Sequence, residues 1–290
     1  TGLWNQTQAD AFRRIVEFVH QHSRAKIGIQ IGHAGRKASC ELPWKGGKPL
    51  TDARAWPTVG PSALAFDAGQ PVPRELSPAD LERLIERFRA SARLAVAAGF
   101  DLVELHMAHG YLLSSFLSAA SNQRQDAYGG DLARRQRFPL EVARAVRAEL
   151  PDGMPLFARL SASDWLPPGE PGTTIEESID TARRLHEAGV DVIDVSSGGN
   201  TPRSKIDYGR MYQVGFAEAI RFGAGVPVMA VGAIQDADQA NTILAAGRAD
   251  LCALARAHLS DPYLTQRAAA QYGYTALPWP EQYLAVKPRG

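Results

Sequence analysis

Apolar and polar positions along this chain follow a repeated order: a stretch with helical periodicity, a glycine, and then a short apolar run. Three of these turns place an aspartate shortly after an Ala-Gly pair, at Asp101, Asp191 and Asp250. Glycine suits a helix end because it adopts the left-handed backbone conformation at little cost. Helices that alternate with short apolar runs predict αβ units and a parallel sheet.

Six apolar runs are predicted to be the strands of that sheet. They are residues 26–31, 101–105, 156–160, 192–196, 226–231 and 251–255. Their interiors read as apolar on both faces, as a sheet covered by helices requires. A closed barrel of αβ units needs eight strands, whereas an open doubly wound sheet needs fewer. Strand count alone therefore favours the open sheet.

Helix starts are marked by capping residues. Ser77 with Asp80 forms a capping box, with proline at the first helical position, and Thr174 with Glu177 repeats the device. Residues 134–150 and 237–246 also have helical periodicity. Residues 39–73 form a long loop rich in proline, glycine and tryptophan, and loops of that length are usually functional.

Composition narrows the class of protein. With 45% hydrophobic and 22% charged residues, the chain is an ordinary globular protein. The net charge of +1 predicts neither a nucleic-acid partner nor binding to an anionic membrane. No apolar run is long enough for a spanning helix. The two cysteines, Cys40 and Cys252, suggest no disulfide scaffold, so a reducing cytoplasm is the expected location.

Polar or glycine residues occur at the end of each predicted strand, where parallel α/β proteins bind their ligands. The second strand leads into His106-Met-Ala-His109-Gly-Tyr111, the densest group of reactive side chains. The other strands contribute Gln30, Arg159, Ser197 with Gly198, Gly232, and Ala255 with Arg256. Their convergence predicts a small-molecule site.

Several of these side chains have more than one interpretation. His106 and His109 could bind a metal, but no HExxH-like carboxylate and no third ligand is evident, so no metal is assigned. Two imidazoles can instead hold and polarise a carbonyl or phenolate oxygen. Tyr111 is a candidate proton donor or a packed side chain. Arg159 needs a partner, which could be an anionic ligand or an internal carboxylate.

Gly232 and the Ala255-Arg256 pair follow the last two predicted strands. In (β/α)8 barrels that position is the usual phosphate site, built from backbone N–H groups and a helix N-terminus. No GxGxxG or P-loop pattern occurs, which disfavours a Rossmann-type dinucleotide fold.

Taken in order, several motifs resemble the Old Yellow Enzyme family of FMN-dependent oxidoreductases over residues 1 to about 283. The motifs are Gln30-Ile-Gly-His33-Ala-Gly-Arg36, His106-Met-Ala-His109-Gly-Tyr-Leu-Leu, Ser118 through Gly130, Arg134-Arg-Gln-Arg137-Phe, Ala158-Arg159-Leu-Ser-Ala-Ser-Asp164, and Val231-Gly232 through Asp250. The resemblance implies that residues 1–290 are a single FMN-binding (β/α)8 TIM barrel domain, amino-terminally incomplete. About six of the eight strands would be present, as strands three to eight.

The resemblance also implies a role for each candidate residue. Gln30 would contact the flavin pyrimidine edge and Arg159 the N1/C2-oxygen region, where positive charge stabilises reduced flavin. The phosphate would be surrounded by Ser197, Gly198, Gly232, Arg256 and Ala255, which stands where many relatives have glycine. His106 and His109 would bind the carbonyl oxygen of an α,β-unsaturated substrate, with Tyr111 as proton donor. NADPH or NADH would reduce the flavin, and hydride would pass from flavin N5 to the alkene.

A closer resemblance is to the reductase domain of two-flavin enzymes acting on 2-aminobenzoyl-CoA or salicylyl-CoA. It is carried by Trp56-Pro, Tyr208-Gly-Arg-Met-Tyr-Gln213, Leu254 through Leu259, and Trp279 through Leu284. It implies an aromatic-CoA-derived substrate and a monooxygenase domain fused upstream. A stand-alone enzyme would instead take a small enone and could be a homo-oligomer. A metal-dependent lyase or hydrolase on a related barrel, and an inactive fragment, are the alternatives of another class.

Overall fold

The six predicted strands form one parallel sheet, as expected. The structure is a computed structural model that describes residues 1–287; residues 288–290 of the predicted domain lie outside it. The strands of this sheet are β1 (Gly28–Ile31), β4 (Leu102–Met107), β5 (Leu156–Ser161), β6 (Val192–Ser196), β7 (Val228–Val231) and β8 (Leu251–Ala253). Two further short strands, β2 (Val59–Gly60) and β3 (Arg74–Glu75), pair with each other; β2 lies within the predicted loop of residues 39–73, and β3 follows it.

The order of strands in the sheet decides between the two predicted architectures. It is β1-β4-β5-β6-β7-β8, with every neighbouring pair parallel. A doubly wound sheet reverses its strand order at a switch point, and this sheet has no reversal among its described strands. The sheet is therefore part of a (β/α)8 barrel with surrounding helices. The preference for an open doubly wound sheet, which rested on strand count, is wrong.

Nine α-helices accompany the strands within residues 1–287. They are α1 (Gln6–His22), α2 (Pro78–Ala98), α3 (Leu112–Leu117), α4 (Leu132–Arg147), α5 (Ile175–Glu187), α6 (Val214–Ala224), α7 (Ala237–Ala245), α8 (Arg256–Ser260) and α9 (Leu264–Gln271). None of these helices has the length and apolar character needed to cross a membrane.

The predicted helix caps are present. Ser77 Oγ accepts from the Asp80 N–H and the Asp80 carboxylate accepts from the Ser77 N–H, which completes the capping box of α2. Thr174 Oγ1 accepts from the Glu177 N–H at the start of α5, but the Glu177 carboxylate accepts from Arg135, so this second predicted capping box is only half formed. Helix α4 begins at Leu132, earlier than the predicted residue 134, because the Asp131 side chain caps it.

The repeated turns that end in Asp101, Asp191 and Asp250 fix the register between neighbouring strands. Each aspartate carboxylate accepts a hydrogen bond from a backbone N–H of the preceding strand, while its own N–H donates to the same residue's carbonyl. The carboxylate contacts join Ile27 to Asp101 at 2.8 Å, Leu156 to Asp191 at 2.7 Å, and Val228 to Asp250 at 2.9 Å. The hydrogen bonds from the N–H groups of these aspartates to the carbonyl oxygens of Ile27, Leu156 and Val228 are 2.9, 2.7 and 3.0 Å long, respectively. We call each such pair of hydrogen bonds an aspartate clamp. A shift of the register by one residue would break both bonds of a clamp, so the repeated aspartates specify the register of the strands.

The two faces of the sheet differ in polarity. The outward face is apolar and fully buried against the helices, as at Val103, Leu105 and Leu156. The inward face carries Glu104 on β4, Arg159 on β5 and Asp194 on β6. The prediction that the strand interiors are apolar on both faces is therefore wrong for the inward face, because the side chains that alternate with the core residues point into the barrel.

Candidate active site

The His106–Tyr111 segment begins at the end of β4 and folds into a compact cluster. The ring centroids of His106 and His109 lie 5.1 Å apart, and those of His106 and Tyr111 lie 5.0 Å apart. His106 is 9% exposed. His109 has a φ of 62°, a left-handed conformation that is uncommon for a residue with a side chain. The structure therefore brings all three predicted catalytic side chains together.

The loops that follow β4 and β6 press against each other, and glycine makes this possible. A Cβ on Gly110 would lie 2.1 Å from the Gly199 carbonyl oxygen, and one on Gly199 would lie 2.5 Å from His109 Cα. Lys37 Nζ donates to the carbonyl oxygens of His109, at 2.9 Å, and Gly199, at 3.2 Å. Lys37 thus ties the two loops together at the position of the catalytic cluster.

Hydrogen bonds orient the His109 ring. Its backbone N–H donates to Ser161 Oγ at 2.9 Å, and its Nε2 lies 2.7 Å from Ser196 Oγ. Ser196 Oγ is farther, 3.3 Å, from Gln213 Oε1, which already accepts from Ser197 Oγ at 2.6 Å. The shorter contact favours donation from Ser196 to His109 Nε2. That assignment leaves the Nδ1–H of His109 as a hydrogen-bond donor.

Both imidazoles are held neutral. Burial, together with the charges of Arg159 and Lys37, lowers the pKa of His106 to about 4. Burial, with the neighbouring His106 and the same two cations, lowers the pKa of His109 to about 3. A neutral imidazole can donate one hydrogen bond to a substrate oxygen without carrying a charge into the buried site.

These lowered pKa values predict an acid-dependent loss of stability. The unfolded chain takes up protons near pH 6.5 and the folded chain does so only near pH 3 to 4. The contribution of the two neutral imidazoles to the free energy of unfolding is therefore fully present above pH 6.5. It is lost as the pH falls toward the pKa values of the folded state. Relative to His109→Asn, the wild type should lose about 1–2 kcal/mol of unfolding free energy between pH 6.5 and pH 5. Urea unfolding at several pH values measures this, with the exposed residue His22→Asn as control; equal pH slopes for wild type and His109→Asn would contradict it.

A cavity of about 1080 Å³ opens beside this cluster, at the carboxyl ends of β6, β7 and β8. Its lining includes five predicted site residues, namely His109, Arg159, Gly232, Ala255 and Arg256. Gly232 has a φ of 112°, and a Cβ there would lie 2.3 Å from Gln213 Nε2. Glycine is therefore required at this position, because a side chain would strike Gln213 and because the backbone is left-handed.

Three predicted cofactor contacts lie outside the lining of this cavity. Ser197 lines a smaller neighbouring cavity of about 420 Å³, together with His109. The N–H of Gly198 donates to the Ser163 carbonyl oxygen at 2.7 Å, so another protein group already occupies that donor. Gln30 Nε2 donates to Glu104 Oε1 at 2.5 Å.

Sequence reasoning missed several residues that shape the site. Lys37 immediately follows the His33–Arg36 motif, and its position was the only available signal. Ser196 and Gln213 orient His109 although they lie 17 residues apart in the chain. Asp194 lies within ion-pair distance of Arg159, with 3.3 Å between Oδ2 and Nε. The internal carboxylate that sequence reasoning left open as a partner for Arg159 is therefore Asp194.

The metal-dependent alternative requires a third ligand beside His106 and His109. Among residues 1–287, no group of three or more His, Cys, Asp or Glu side chains is arranged to hold a metal ion.

Comparison with known proteins identifies the family. Residues 1–273 match the NADH:flavin oxidoreductase / NADH oxidase family. The chain is 43% identical over 272 residues to an NADPH dehydrogenase of Geobacillus thermodenitrificans (strain NG80-2), a match that covers 94% of this chain and 74% of that protein.

Solved structures agree with this match. Morphinone reductase superposes with a TM-score of 0.74 at 27% identity, covering 100% of this chain and 75% of that one. A 2-naphthoyl-CoA reductase in complex with 2-naphthoyl-CoA gives a TM-score of 0.79 at 26% identity and covers 93% of this chain. The chain spans only 41% of the length of that reductase. The chain therefore belongs to the NADH:flavin oxidoreductase / NADH oxidase family of Old Yellow Enzyme type, whose members are FMN-dependent oxidoreductases.

Proposed function

We propose that this protein uses NADPH or NADH to reduce the C=C bond of small α,β-unsaturated carbonyl compounds. The observation that carries the proposal is the pair of neutral, buried imidazoles beside a cavity lined by Arg159 and Arg256. A carbonyl oxygen that accepts hydrogen bonds from both imidazoles is polarised, which makes the conjugated alkene a better hydride acceptor.

The residues of the cavity fit FMN. Arg159 lines this cavity, and its Nε makes an ion pair with Asp194 at 3.3 Å but no hydrogen bond among the described residues. Gly232 lines this cavity, and Arg256 supplies an exposed cation for a phosphate. The volume of about 1080 Å³ is ample for a cofactor of this size. Bound FMN would supply the hydride chemistry between nicotinamide and alkene.

The chain's own side chains bind the substrate and supply the proton. His106 and His109 hold the substrate carbonyl oxygen and fix the orientation of the alkene. Tyr111 lies against the His106 ring and beneath Lys37, whose Nζ is 5.4 Å from the tyrosine ring centroid. We assign to Tyr111 the proton that the α-carbon receives.

Arg159→Ala is expected to weaken FMN binding. A hydrogen bond to a charged group contributes about 1.5–3 kcal/mol, so the FMN dissociation constant should rise by about 10- to 100-fold. Quenching of FMN fluorescence on titration with protein measures it, and Arg87→Ala, an exposed arginine on α2, is the matched control. An unchanged dissociation constant would remove Arg159 from the flavin site, and a purified protein that takes up no flavin would remove the proposed function altogether.

The similarity to the reductase domain of aromatic acyl-CoA monooxygenase/reductases stays a prediction. The fold similarity to a 2-naphthoyl-CoA reductase is compatible with an aromatic-CoA-derived substrate. The reading frame upstream of Thr1 tests it: a flavin monooxygenase domain would favour the fused enzyme, and its absence would favour the stand-alone one.

A further inference from the structure

Asn200 lies at the centre of a buried hydrogen-bond network that joins the segments following β1, β4, β5 and β6. The residue is 1% exposed. Its Nδ2 donates to Asp164 Oδ1 at 2.7 Å, and its Oδ1 accepts from Ser114 Oγ at 3.1 Å. Its backbone carbonyl oxygen accepts from the Arg36 guanidinium. All of its hydrogen-bonding groups named here are therefore engaged, yet the proposed function gives Asn200 no role.

Asp164 is one end of this network. It is completely buried, and its Oδ2 accepts from Ser118 Oγ at 2.5 Å and from the Thr173 N–H at 2.7 Å. With the Asn200 amide, three donors point at one carboxyl group. A buried carboxylate depends on such donors, because each one replaces a hydrogen bond to water. Asp164 is therefore held in a single orientation, and it fixes the Asn200 amide in turn.

The other end of the network reaches the backbone of the catalytic cluster. Ser114 Oγ accepts from the Gly110 N–H at 3.2 Å, so its own hydrogen is available for Asn200 Oδ1. Gly110 lies between His109 and Tyr111, and both Gly110 and His109 have left-handed backbones, with φ of 72° and 62°. For His109 such a conformation persists only where surrounding contacts hold it. Asn200 is thus connected through Ser114 to the backbone that carries two catalytic side chains.

The backbone of Asn200 is anchored from the opposite side. Arg36 donates to the carbonyl oxygens of Asn200 and of Leu64, the latter at 3.2 Å. The next residue in the chain, Lys37, donates to the carbonyl oxygen of Gly199 at 3.2 Å. Two consecutive cations therefore hold the loop after β6, and the Asn200 amide extends from a fixed backbone.

We propose that Asn200 is a positioning residue of the active site, which fixes the loop of His109 and Tyr111 relative to the buried Asp164 carboxylate. It acts through the Ser114 hydroxyl group, without touching substrate or flavin. A small shift of this loop would move the imidazole away from the substrate oxygen, and catalysis falls steeply with such shifts. The catalytic part of this inference rests on the proposed function, because the imidazole is assigned there to the oxygen of an enone.

Exchanging the two side chains tests the contact between them. In Asn200→Asp two carboxyl groups face each other, and in Asp164→Asn two amides do, so each single variant leaves a donor or an acceptor mismatched. The double variant Asn200→Asp/Asp164→Asn reverses the contact. The introduced amide then donates to the introduced carboxylate, while Ser118, Thr173 and Ser114 all keep an acceptor.

Each single variant should lower kcat for enone reduction by the holoprotein by about 10- to 100-fold, because a misplacement of about 1 Å can cost about 100-fold. The double variant should regain most of this loss, as expected for two residues coupled in one network. Reduction of ferricyanide, a one-electron acceptor, should change little in all three, since it does not need the oxygen site. The matched control, Asn241→Asp/Asp152→Asn, makes the same exchange at exposed positions and should leave both activities unchanged.

Three results would overturn the positioning role. They are an unchanged enone kcat in the single variants, equal losses of enone and ferricyanide activity, which indicate a purely structural role, and a folded double variant that recovers nothing. If the single variants do not fold, Ser114→Ala removes only the link to Gly110 and keeps the contact between Asn200 and Asp164. It should lower enone kcat by about 3- to 10-fold, the worth of one hydrogen bond, and an unchanged kcat would again reject the role.

Phenol binding distinguishes failure of this role from failure of the proposed function. The charge-transfer band of a phenol bound over the flavin reports the oxygen site without any enone chemistry. A wild type that takes up FMN and reduces ferricyanide but no enone would reject the proposed function alone. In that case the positioning role stands if the single variants weaken phenol binding by about tenfold and the exchange restores it, and falls if all variants bind phenol equally.

Discussion

Replacing both His106 and His109 by alanine is expected to lower kcat/KM for enone reduction by about 10²–10³-fold, because loss of one oxyanion donor typically costs that much and the two donors act on one oxygen. The oxidation of NADPH or NADH with a one-electron acceptor such as ferricyanide should fall far less, because that reaction does not need a polarised carbonyl. Steady-state assays with cyclohexenone and with ferricyanide give the two values.

A spectroscopic readout separates oxygen binding from loss of structure. Phenolates that bind over a flavin give a long-wavelength charge-transfer band, and the double histidine variant should lose it. His22→Ala, an exposed residue on α1, is the control and should keep both the band and the enone activity. An enone kcat/KM within about tenfold of the wild type would reject the imidazole pair as the oxygen site.

Gly110→Ala is expected to destabilise the protein by about 2–5 kcal/mol. The residue has a φ of 72°, which costs an L-residue about 1–2 kcal/mol, and overpacking a filled site adds about 1–3 kcal/mol. The added methyl group would lie 2.1 Å from the Gly199 carbonyl oxygen, so one of the two loops must move. The displaced loop carries His109, and enone activity should fall with stability.

Gly225→Ala isolates the backbone part of this effect. Gly225 has a φ of 70°, almost the same as Gly110, and a Cβ there would meet nothing within 4 Å. It should therefore lose only about 1–2 kcal/mol. Urea unfolding of both variants gives the difference. Equal losses would show that the loops after β4 and β6 can separate at no cost.

The local features of the fold were predictable because each depends on a few adjacent residues. The capping box at Ser77 and the six apolar runs are of this kind, and the structure contains all of them. Strand count was misleading because it says nothing about whether the order of strands reverses. The polar inward face was not predicted because Glu104 and Asp194 are each a single acidic residue within an apolar run. One acidic residue in such a run does not reveal that a whole face of the sheet is polar.

The catalytic cluster was predictable for the same reason as the caps: its three side chains lie within six consecutive residues. The supporting contacts were not, because they join distant segments. Lys37 contacts His109 across 72 residues, and Ser196 contacts the same ring across 87. The periodicity and residue spacing of a single sequence do not reveal contacts between residues so far apart in the chain. The placement of Gly198 likewise depends on Ser163, whose carbonyl orientation is set by the fold.

The aspartate clamps at Asp101, Asp191 and Asp250 also affect the order in which the protein folds. Each clamp is closed by an aspartate that follows its strand in the chain, 74 residues after Ile27, 35 after Leu156 and 22 after Val228. During synthesis, β1, β5 and β7 would each be locked only when the next αβ unit has emerged from the ribosome. Domains synthesised from the N-terminus can then assemble in chain order, one unit fastening the one before it. The separations shorten along the chain, so the final unit closes the smallest loop and should lock fastest.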